Sequence, residues 1–368
     1  MRDEHVPVGP RGRRTNSMWR CRHRRYYLAL LAVSLAWVVL IAAIVRFAHI
    51  REAQLRTGRG AARLNVAIRT RQGVLPIRLA EVETLKASPL EKWSNEQRKL
   101  LNMTFRPWLS ARSDCSRLST GFGHHLPTVA LVSLPSSGNT WMRFLIEGGS
   151  GVFTGSLYSD LTIVKAGMYG ELVPHASGTT IAQKTHGFTT LEGVTASPSE
   201  QRRRFAHVHE LGCRAILLVR DPAAAIVSHR HLDAAGHLGF APQSHFEGEG
   251  WDKFVDQKAE FWYSLYAAWI EQCPPEQLLV VQYEKLKSQL NTELERVLRF
   301  LGVHPDPERM KCIERYPRGN MQRRTRTNNT GPQSPLSERH RQRIKRSVLA
   351  LHRLVSEHKL GDGIADYL

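Results

Sequence analysis

A turn between an apolar strand and a helix carries residue types that suit anion binding. The apolar run 128–134 predicts a buried strand, a turn of Pro, Ser and Gly follows, and helical spacing begins near Asn139. The free N–H groups of a helix's first turn and the positive end of its dipole favour an anion there. The hydroxyls of Ser136, Ser137 and Thr140 add donors. Taken alone, the stretch also fits an ordinary strand-to-helix turn.

A second apolar run, residues 179–185, ends in a lysine and a histidine at alternate positions. Strand alternation places Lys184 and His186 on the same face. A neutral imidazole at His186 can take a proton from a hydroxyl, and the ammonium of Lys184 can stabilise negative charge on a leaving oxygen. The alternatives are a histidine satisfied within the fold and a surface lysine.

A third apolar run, residues 214–219, is followed by Arg220, Asp221 and Pro222. The guanidinium of Arg220 suits a phosphate, and Ser228, two turns into the next helix, offers a hydroxyl from the same side. The pair Asp221-Pro222 also predicts the cap and first residue of a helix.

The elements that position these residues alternate along the chain. Strands are predicted at 128–134, 179–185, 214–219 and 278–283, and helices at 139–147, 223–234, 251–273, 289–301 and 337–358. This order predicts an α/β fold with a mostly parallel sheet and helices on both faces. Ligands bind beyond the carboxyl ends of such strands, where all three groups of residues lie.

Four short motifs in this order resemble those of sulfotransferases that use 3′-phosphoadenosine 5′-phosphosulfate (PAPS). The segments 135–141, 184–186, 219–228 and 283–286 resemble the phosphosulfate loop, the strand end with the catalytic base, the 3′-phosphate motif and a typical later motif. The resemblance covers roughly residues 128–330 and implies a P-loop-like sulfotransferase fold. It implies His186 and Lys184 as catalytic residues and a nucleotide site formed by Ser136, Ser137, Gly138, Asn139, Thr140, Trp141, Arg143, Arg220, Ser228, Tyr283, Arg323 and Arg324.

The chain departs from that pattern inside the loop. Cytosolic members of the family carry lysine where this chain has Ser136, so the loop lacks its usual cation. Arg143, one helical turn further on, or Lys184 is expected to compensate. Arg323 and Arg324 are candidates for the basic segment that closes over the nucleotide in relatives. Trp141 and Tyr283 match adenine-contacting positions, although either side chain also fits a core position.

The formal net charge of +19 is concentrated at the N-terminus. Residues 1 to 71 hold fifteen Arg, no Lys and three acidic residues. These basic runs flank an apolar segment, so nucleic-acid binding is the poorest explanation of the charge. The basic run 339–346 is predicted to be the solvated face of a helix.

Residues 26–46 are predicted to be a single transmembrane anchor. Its apolar length matches the roughly 30 Å hydrocarbon layer, and no small-residue cleavage site follows it. Arginine counts on its two sides favour a cytoplasmic tail at 1–25. The sequence then predicts a lumenal stem at 47–125 and a sulfotransferase domain at 126–368. Asn102 and Asn328 fit the glycosylation acceptor pattern in this orientation.

A type II anchor implies the Golgi branch of the family, with the catalytic domain in the lumen. Within that branch the Ser-Gly-Asn-Thr-Trp loop and the segment 153–156 look most like the WSC-domain-containing sulfotransferases, although the WSC modules are absent here. One member of that class is thought to act on sialic acid. The acceptor implied is therefore a glycan on a glycoprotein or glycolipid; the sugar and the oligomeric state stay open.

Cysteine spacing gives no support for a metal site. None of the five cysteines lies in a C-x-x-C pair. Beyond the predicted anchor, Cys115, Cys213, Cys273 and Cys312 can form two disulfides by any of three pairings.

Two other functions compete with the PAPS-dependent enzyme. The serine at position 136 also fits a degenerate relative that keeps the fold as a binding or scaffold protein. A nucleoside-triphosphate kinase is disfavoured because the loop lacks the G-x-x-x-x-G-K-[ST] pattern.

Overall fold

The computed structural model describes residues 66–70, 73–77, 79–111, 114–187, 207–236, 239–318, 334–361 and 364–367. The predicted tail and anchor, and also Arg323, Arg324 and Asn328, lie outside these residues. No helix in the described ranges is long and apolar enough to cross a membrane.

A five-stranded parallel sheet organises the described part of the chain. An antiparallel hairpin, β1 (Val66–Thr70) and β2 (Gly73–Ile77), precedes it. The sheet strands are β3 (Ala130–Val132), β4 (Gly155–Ser156), β5 (Gln183–Thr185), β6 (Ala215–Val219) and β7 (Leu278–Gln282). Their order is β4-β5-β3-β6-β7, and every neighbouring pair is parallel. The predicted parallel sheet is confirmed, with the two-residue strand β4 as an element that the sequence did not reveal.

Helices connect the strands. They are α1 (Leu79–Ala87), α2 (Asn95–Arg98), α3 (Asn139–Ser150), α4 (Leu161–Lys165), α5 (Val208–Leu211), α6 (Pro222–Ala235), α7 (Gly248–Gln272), α8 (Tyr283–Ser288), α9 (Leu290–Phe300), α10 (Pro307–Arg315) and α11 (Glu338–Glu357). Each of the five predicted helices is present, with its ends within three residues of the prediction.

The sheet is covered on both faces, as alternation of its apolar side chains requires. Ala130 and Leu217 belong to a core shared with α6, α7 and α11. Leu131 and Ile216, each one residue along the same strands, belong to a core shared with α3, α9 and α10. Both faces of the central strands are therefore buried, which explains their continuous apolar runs.

The segment 79–125, predicted to be a stem, is part of the folded unit in the structure. Val82, Trp93 and Leu100 are buried in a core with Leu172 of the domain, and Trp108 packs against Phe144 of α3. The folded unit therefore extends N-terminal of the predicted boundary at residue 126. The sequence did not indicate this burial because the partners of Val82, Trp93 and Leu100, such as Leu172, lie far away in the chain.

Two disulfides select one of the three pairings. Cys115 bonds to Cys312, 197 residues apart, and Cys213 bonds to Cys273, 60 residues apart. The first bond joins the predicted stem to α10, and the second joins Cys213, two residues before β6, to Cys273, the C-cap of α7.

The basic run on α11 is a solvated helix face. Arg339 and Arg343 pair with Asp256 and Glu260 of α7. The other face of α11 is apolar and packs on α7 through residues such as Ile344 and Leu351. The prediction of a solvated face is confirmed.

Candidate active site

The turn between β3 and α3 contains two residues with left-handed backbone conformations. Ser136 and Gly138 have positive φ values of 66° and 88°, and Gly138 is the N-cap of α3. The first intrahelical bond runs from Met142 N to Gly138 O, 2.9 Å. The amides of Asn139, Thr140 and Trp141 thus precede the helical ladder and are available to an anion.

In the loop 136–140, some side chains are buried and others are partly exposed. Ser136, Gly138 and Thr140 are partly exposed, whereas Ser137 and Asn139 are buried. The Asn139 amide donates to Leu131 O at 3.3 Å and to Ser133 Oγ at 3.1 Å. Asn139 and Ser137 therefore offer the site their backbone, and the side chain of Asn139 braces the turn from within.

Arg220 lies beside this loop. Its Nη1 donates to Ser136 O at 2.6 Å, and its guanidinium carbon lies 4.7 Å from the centroid of the Tyr283 ring. Nε of Arg220 is buried and has no hydrogen-bond partner in the described ranges. The carboxylate of Asp221 accepts from the amides of Ala223 and Ala224, so it caps α6 as predicted. Arg220 lies between the last residue of β6 and the Asp221 cap of α6, and these two neighbours fix the direction of its backbone.

Tyr283 and Trp141 form the aromatic wall of the loop. Their rings meet edge to face at 5.7 Å, and the Trp141 indole donates to Pro317 O at 2.7 Å. Both side chains are partly exposed. Ser228 is also partly exposed and lies on α6, two turns from Arg220.

His186 lies at the same strand-end region, on the other side of the turn. Its Nδ1 is 2.8 Å from Ser133 O. A carbonyl only accepts, so Nδ1 carries the proton and Nε2 keeps a lone pair. Burial, and then the charge of Lys184, hold the pKa of His186 well below its usual value. The ring is therefore neutral at pH 7, which is the form a general base requires.

Lys184 is 6% exposed and points to the face that also bears His186. Both contact Tyr158: the His186 ring stacks on it at 5.6 Å, and Lys184 Nζ lies 5.7 Å from its centroid. Burial lowers the pKa of Lys184, while the carboxylate of Glu171 opposes that shift.

Comparison with known proteins agrees with this geometry. The family model "Sulfotransferase domain" matches residues 126–348, more than half of the chain. The chain belongs to the sulfotransferase domain family. A WSCD family member of Drosophila pseudoobscura pseudoobscura is 32% identical over 225 residues, which are 60% of this chain and 65% of that protein. A WSCD family member of Drosophila melanogaster is 31% identical over 54% of this chain and 57% of that protein. The resemblance to this group is confirmed, and the chain spans about three fifths of the length of these relatives.

Solved structures similar to the chain are also sulfotransferases. A mouse sulfotransferase complexed with PAP is 17% identical, with a TM-score of 0.38 and coverage of 66% of this chain and 89% of that one. The sulfotransferase domain from the curacin biosynthetic pathway is 16% identical, with a TM-score of 0.33 and coverage of 51% and 77%.

Arg143 of this sulfotransferase domain lies away from the loop's open edge. The side chain is fully buried. Its Nη1 pairs with Glu171 Oε1 at 2.5 Å, Nε donates to Thr154 Oγ1 at 2.7 Å and Nη2 to Thr154 O at 3.1 Å. All three nitrogens are thus committed to the interior. The expectation that Arg143 replaces the missing loop cation is wrong, because its guanidinium is bound in the interior; among the described residues, Arg220 contacts the loop at Ser136 O.

A charged cluster surrounds Arg143. Thr154 also donates to Glu147, whose pKa burial raises to about 7. Glu171 faces Arg143, Lys184 and Lys86. Lys184 connects this cluster to His186, because it interacts with Glu171 and also contacts Tyr158 beside the His186 ring.

Several residues that position the site carry no sequence motif. The Tyr266 hydroxyl accepts from Leu134 N at 3.2 Å and donates to Leu218 O at 2.7 Å, which ties the ends of β3 and β6 together. The Trp262 indole donates to Arg220 O at 3.2 Å. In the sequence, Tyr266 and Trp262 look like core residues of an amphipathic helix. Only their polar hydroxyl and indole N–H groups could have indicated a hydrogen bond to the strand ends.

Replacing Gly138 with alanine is expected to damage the loop more than strain alone would. A Cβ there would lie 2.5 Å from Cε2 of Tyr283, so the ring that supports Arg220 must move. We expect a loss of about 1–3 kcal/mol in the free energy of unfolding, in line with overpacking, and weaker nucleotide binding. Urea denaturation and calorimetric titration with PAP measure the two effects.

Gly302 supplies the matched control. It has a φ of 79° and no atom within 4 Å of an added Cβ. Gly302→Ala isolates the backbone strain and should leave nucleotide affinity unchanged. Equal affinity for PAP in Gly138→Ala and the unaltered protein would contradict the arrangement of Tyr283 and Arg220 described here.

Proposed function

We propose that the protein transfers a sulfuryl group from PAPS to a hydroxyl of a glycan on a glycoprotein or glycolipid. The observation that carries the proposal is the convergence of two strand ends on one turn. Arg220 Nη1 contacts Ser136 O at 2.6 Å, and His186 Nδ1 contacts Ser133 O at 2.8 Å. A phosphate-binding cation and a neutral base are thus held on either side of a single βα junction.

The residues present fit a nucleotide that carries two phosphate groups. The amides of Asn139, Thr140 and Trp141 suit one anionic group, and Arg220 with Ser228 suits the other. The buried Nε of Arg220, which lacks a partner in the described ranges, points to a missing acceptor. Tyr283 and Trp141 offer aromatic surface for the base. No cluster of residues able to hold a metal ion occurs in the described ranges.

His186 acts as the general base in this proposal. Its Nε2 lone pair takes the proton of the acceptor hydroxyl, and the bond from Nδ1 to Ser133 O fixes the ring while it does so. Lys184 provides positive charge on the same face, and Glu171 helps to keep it charged. When bound, PAPS supplies the sulfuryl group and a phosphate leaving group.

Cellular placement follows from residues outside the described ranges. The apolar segment 26–46 and the arginine asymmetry around it support a type II Golgi membrane protein with a lumenal catalytic domain. The two disulfides are compatible with an oxidising lumen. The glycan acceptor rests on the likeness to the WSCD relatives, and Arg323 and Arg324 stay candidates for closing over the nucleotide.

The degenerate alternative keeps one observation in its favour. The loop has Ser136 where cytosolic relatives carry lysine, and Arg143 does not replace it. The alternative predicts nucleotide binding without transfer. Incubating the full-length protein with PAPS labelled in the sulfuryl group and a broad glycan panel separates the two: label on an acceptor supports the enzyme, and binding with no labelled acceptor supports the scaffold.

Replacing Arg220 with methionine tests the nucleotide site directly. The change removes hydrogen bonds to an anion, each worth about 1.5–3 kcal/mol, so we expect affinity for PAP to fall about 10- to 100-fold. Calorimetric titration measures it. Arg214→Met is the control, because Arg214 also stacks on an aromatic ring, that of Phe300 at 5.2 Å, but precedes β6 at its other end. Unchanged affinity in Arg220→Met would remove this residue from the site.

A further inference from the structure

Helix α1 lies outside the part of the chain that matches the sulfotransferase domain, yet one of its side chains reaches the sheet. Nζ of Lys86 donates to Ser156 O at 2.6 Å and to Tyr158 O at 2.5 Å. Val82 and Leu85 on the same helix are buried against Leu161 and Leu172. The helix is therefore docked by apolar contacts, and Lys86 adds a polar contact with the domain.

The carbonyls that Lys86 holds belong to the turn after β4. Ser156 is the last residue of β4, opposite Lys184. Tyr158 lies two residues further along, and its amide N–H donates to Ser156 Oγ at 3.0 Å. The chain leaves the sheet here, and Lys86 donates a hydrogen bond to both carbonyls.

Tyr158 in turn contacts the proposed base. The amide of His186 donates to the Tyr158 hydroxyl at 2.8 Å. The two rings stack with an interplanar angle of 18°. One aromatic side chain thus fixes both the backbone of His186 and the plane of its imidazole.

A buried cation is costly unless it is paired, so the position of Lys86 needs a reason. Burial lowers its pKa to about 8, Glu171 opposes that shift, and Arg143 and Lys184 add to it. His175 also lies close enough to interact with Lys86. Lysine at this position is mostly charged at pH 7 and gives three donors, of which two are used here.

We propose that Lys86 is a positioning residue for His186 and acts through Tyr158. The proposal rests on the function proposed above, in which His186 is the base. It extends the active site to a helix that precedes the family-matched domain. Lys86 braces the turn, Tyr158 transmits its position, and His186 presents Nε2 in the productive orientation.

The test compares Lys86→Met and Tyr158→Phe in the full-length protein. Methionine keeps the length of the side chain without the donors, and phenylalanine keeps the ring without the hydroxyl. We expect kcat to fall about 10-fold in each, because a small misplacement of a catalytic group is costly, while KM for PAPS and affinity for PAP change less than twofold. The double variant should lose less than the product of the two single losses, because both act along one chain of contacts.

Two matched variants control for general effects. Lys92→Met removes an exposed lysine from the turn after α1, and Tyr169→Phe removes a hydroxyl from the neighbouring core. Both should leave kcat unchanged. Thermal unfolding of each variant checks that the fold is intact, and Tyr158→Phe decides the question if Lys86→Met does not fold.

The pH dependence of turnover in Lys86→Met adds a second measurement, which would not change if Lys86 only stabilised the fold. In the part of the chain that the structure describes, the ionisable groups around His186 include Lys184, His229, Arg143 and Tyr158, and all four are retained in Lys86→Met. A loosened turn admits water to the imidazole, so its pKa should rise toward the usual value and the acid limb of the rate profile should move to higher pH. An unmoved acid limb, with kcat and KM as in the unaltered protein, would overturn the proposal.

The variant His186→Asn distinguishes a failure of the role proposed for Lys86 from a failure of the proposed base. Loss of turnover in His186→Asn, together with full turnover in the Lys86 and Tyr158 variants, would overturn this proposal and leave the base in place. Full turnover in His186→Asn would overturn the assignment of the base and, with it, the role of Lys86.

Discussion

Turnover is expected to fall by about 10²- to 10⁴-fold when His186 is replaced by asparagine, the range that general acid–base catalysis contributes. The asparagine amide can still donate to Ser133 O, as Nδ1 does at 2.8 Å, but it offers no basic lone pair. The change therefore removes the base and keeps a hydrogen bond to Ser133 O. Transfer of labelled sulfuryl groups at saturating PAPS measures the loss, and PAP affinity should stay within about threefold.

The pH dependence of turnover gives the same residue a second test. The pKa of His186 lies well below its usual value because of burial and Lys184. Activity should thus persist as pH falls through 6.5 and decline only at more acidic pH, where the imidazole takes up a proton. His209→Ala, on the exposed side of α5, is the control and should have no effect. Undiminished transfer by His186→Asn would exclude the proposed base.

Replacing Arg143 by methionine is expected to cost about 3–5 kcal/mol in the free energy of unfolding, because it leaves a buried carboxylate without its partner. Glu171 is fully buried with Arg143, and Thr154 loses two donors at the same time. Urea denaturation measures the loss. Where the protein stays folded, PAP affinity should be nearly unchanged, because Arg143 belongs to the interior and not to the loop.

Two comparisons sharpen the Arg143 experiment. Arg117 pairs with Glu308 at 3.1 Å, but both side chains are about 60% exposed, so Arg117→Met should cost no more than about 1 kcal/mol. The double variant Arg143→Met, Glu171→Gln should recover part of the loss, since it removes the unpaired charge. A cost below about 1 kcal/mol for Arg143→Met would contradict the buried pair.

The sequence predicted those parts of the site that local chemistry determines. Apolar runs followed by Pro135, Lys184 and Arg220 indicated strand ends, and the carboxyl ends of parallel strands meet at one edge. Asp221 and Pro222 predicted the start of α6 in the same way. These predictions needed neighbours in the chain and the general rules of α/β sheets, and no knowledge of distant contacts.

Sequence reasoning failed where distant residues decide. Arg143 lies one turn after Asn139, and periodicity alone does not tell that Thr154 and Glu171 meet its guanidinium in the core. Lys86 was assigned to a stem because α1 is short and its partner carbonyls are 70 and 72 residues away. Nothing in the local sequence shows that the ring of Tyr158 reaches His186, 28 residues further along the chain.

The bond between Cys115 and Cys312 encloses almost the whole catalytic apparatus. All five strands of the parallel sheet lie between these two residues in the chain. During synthesis the second cysteine emerges only after β7 and α9 have been made, so oxidation of this pair cannot precede synthesis of all five strands. A closed Cys115–Cys312 link is consequently a chemical record that all five strands of the sheet have been synthesised.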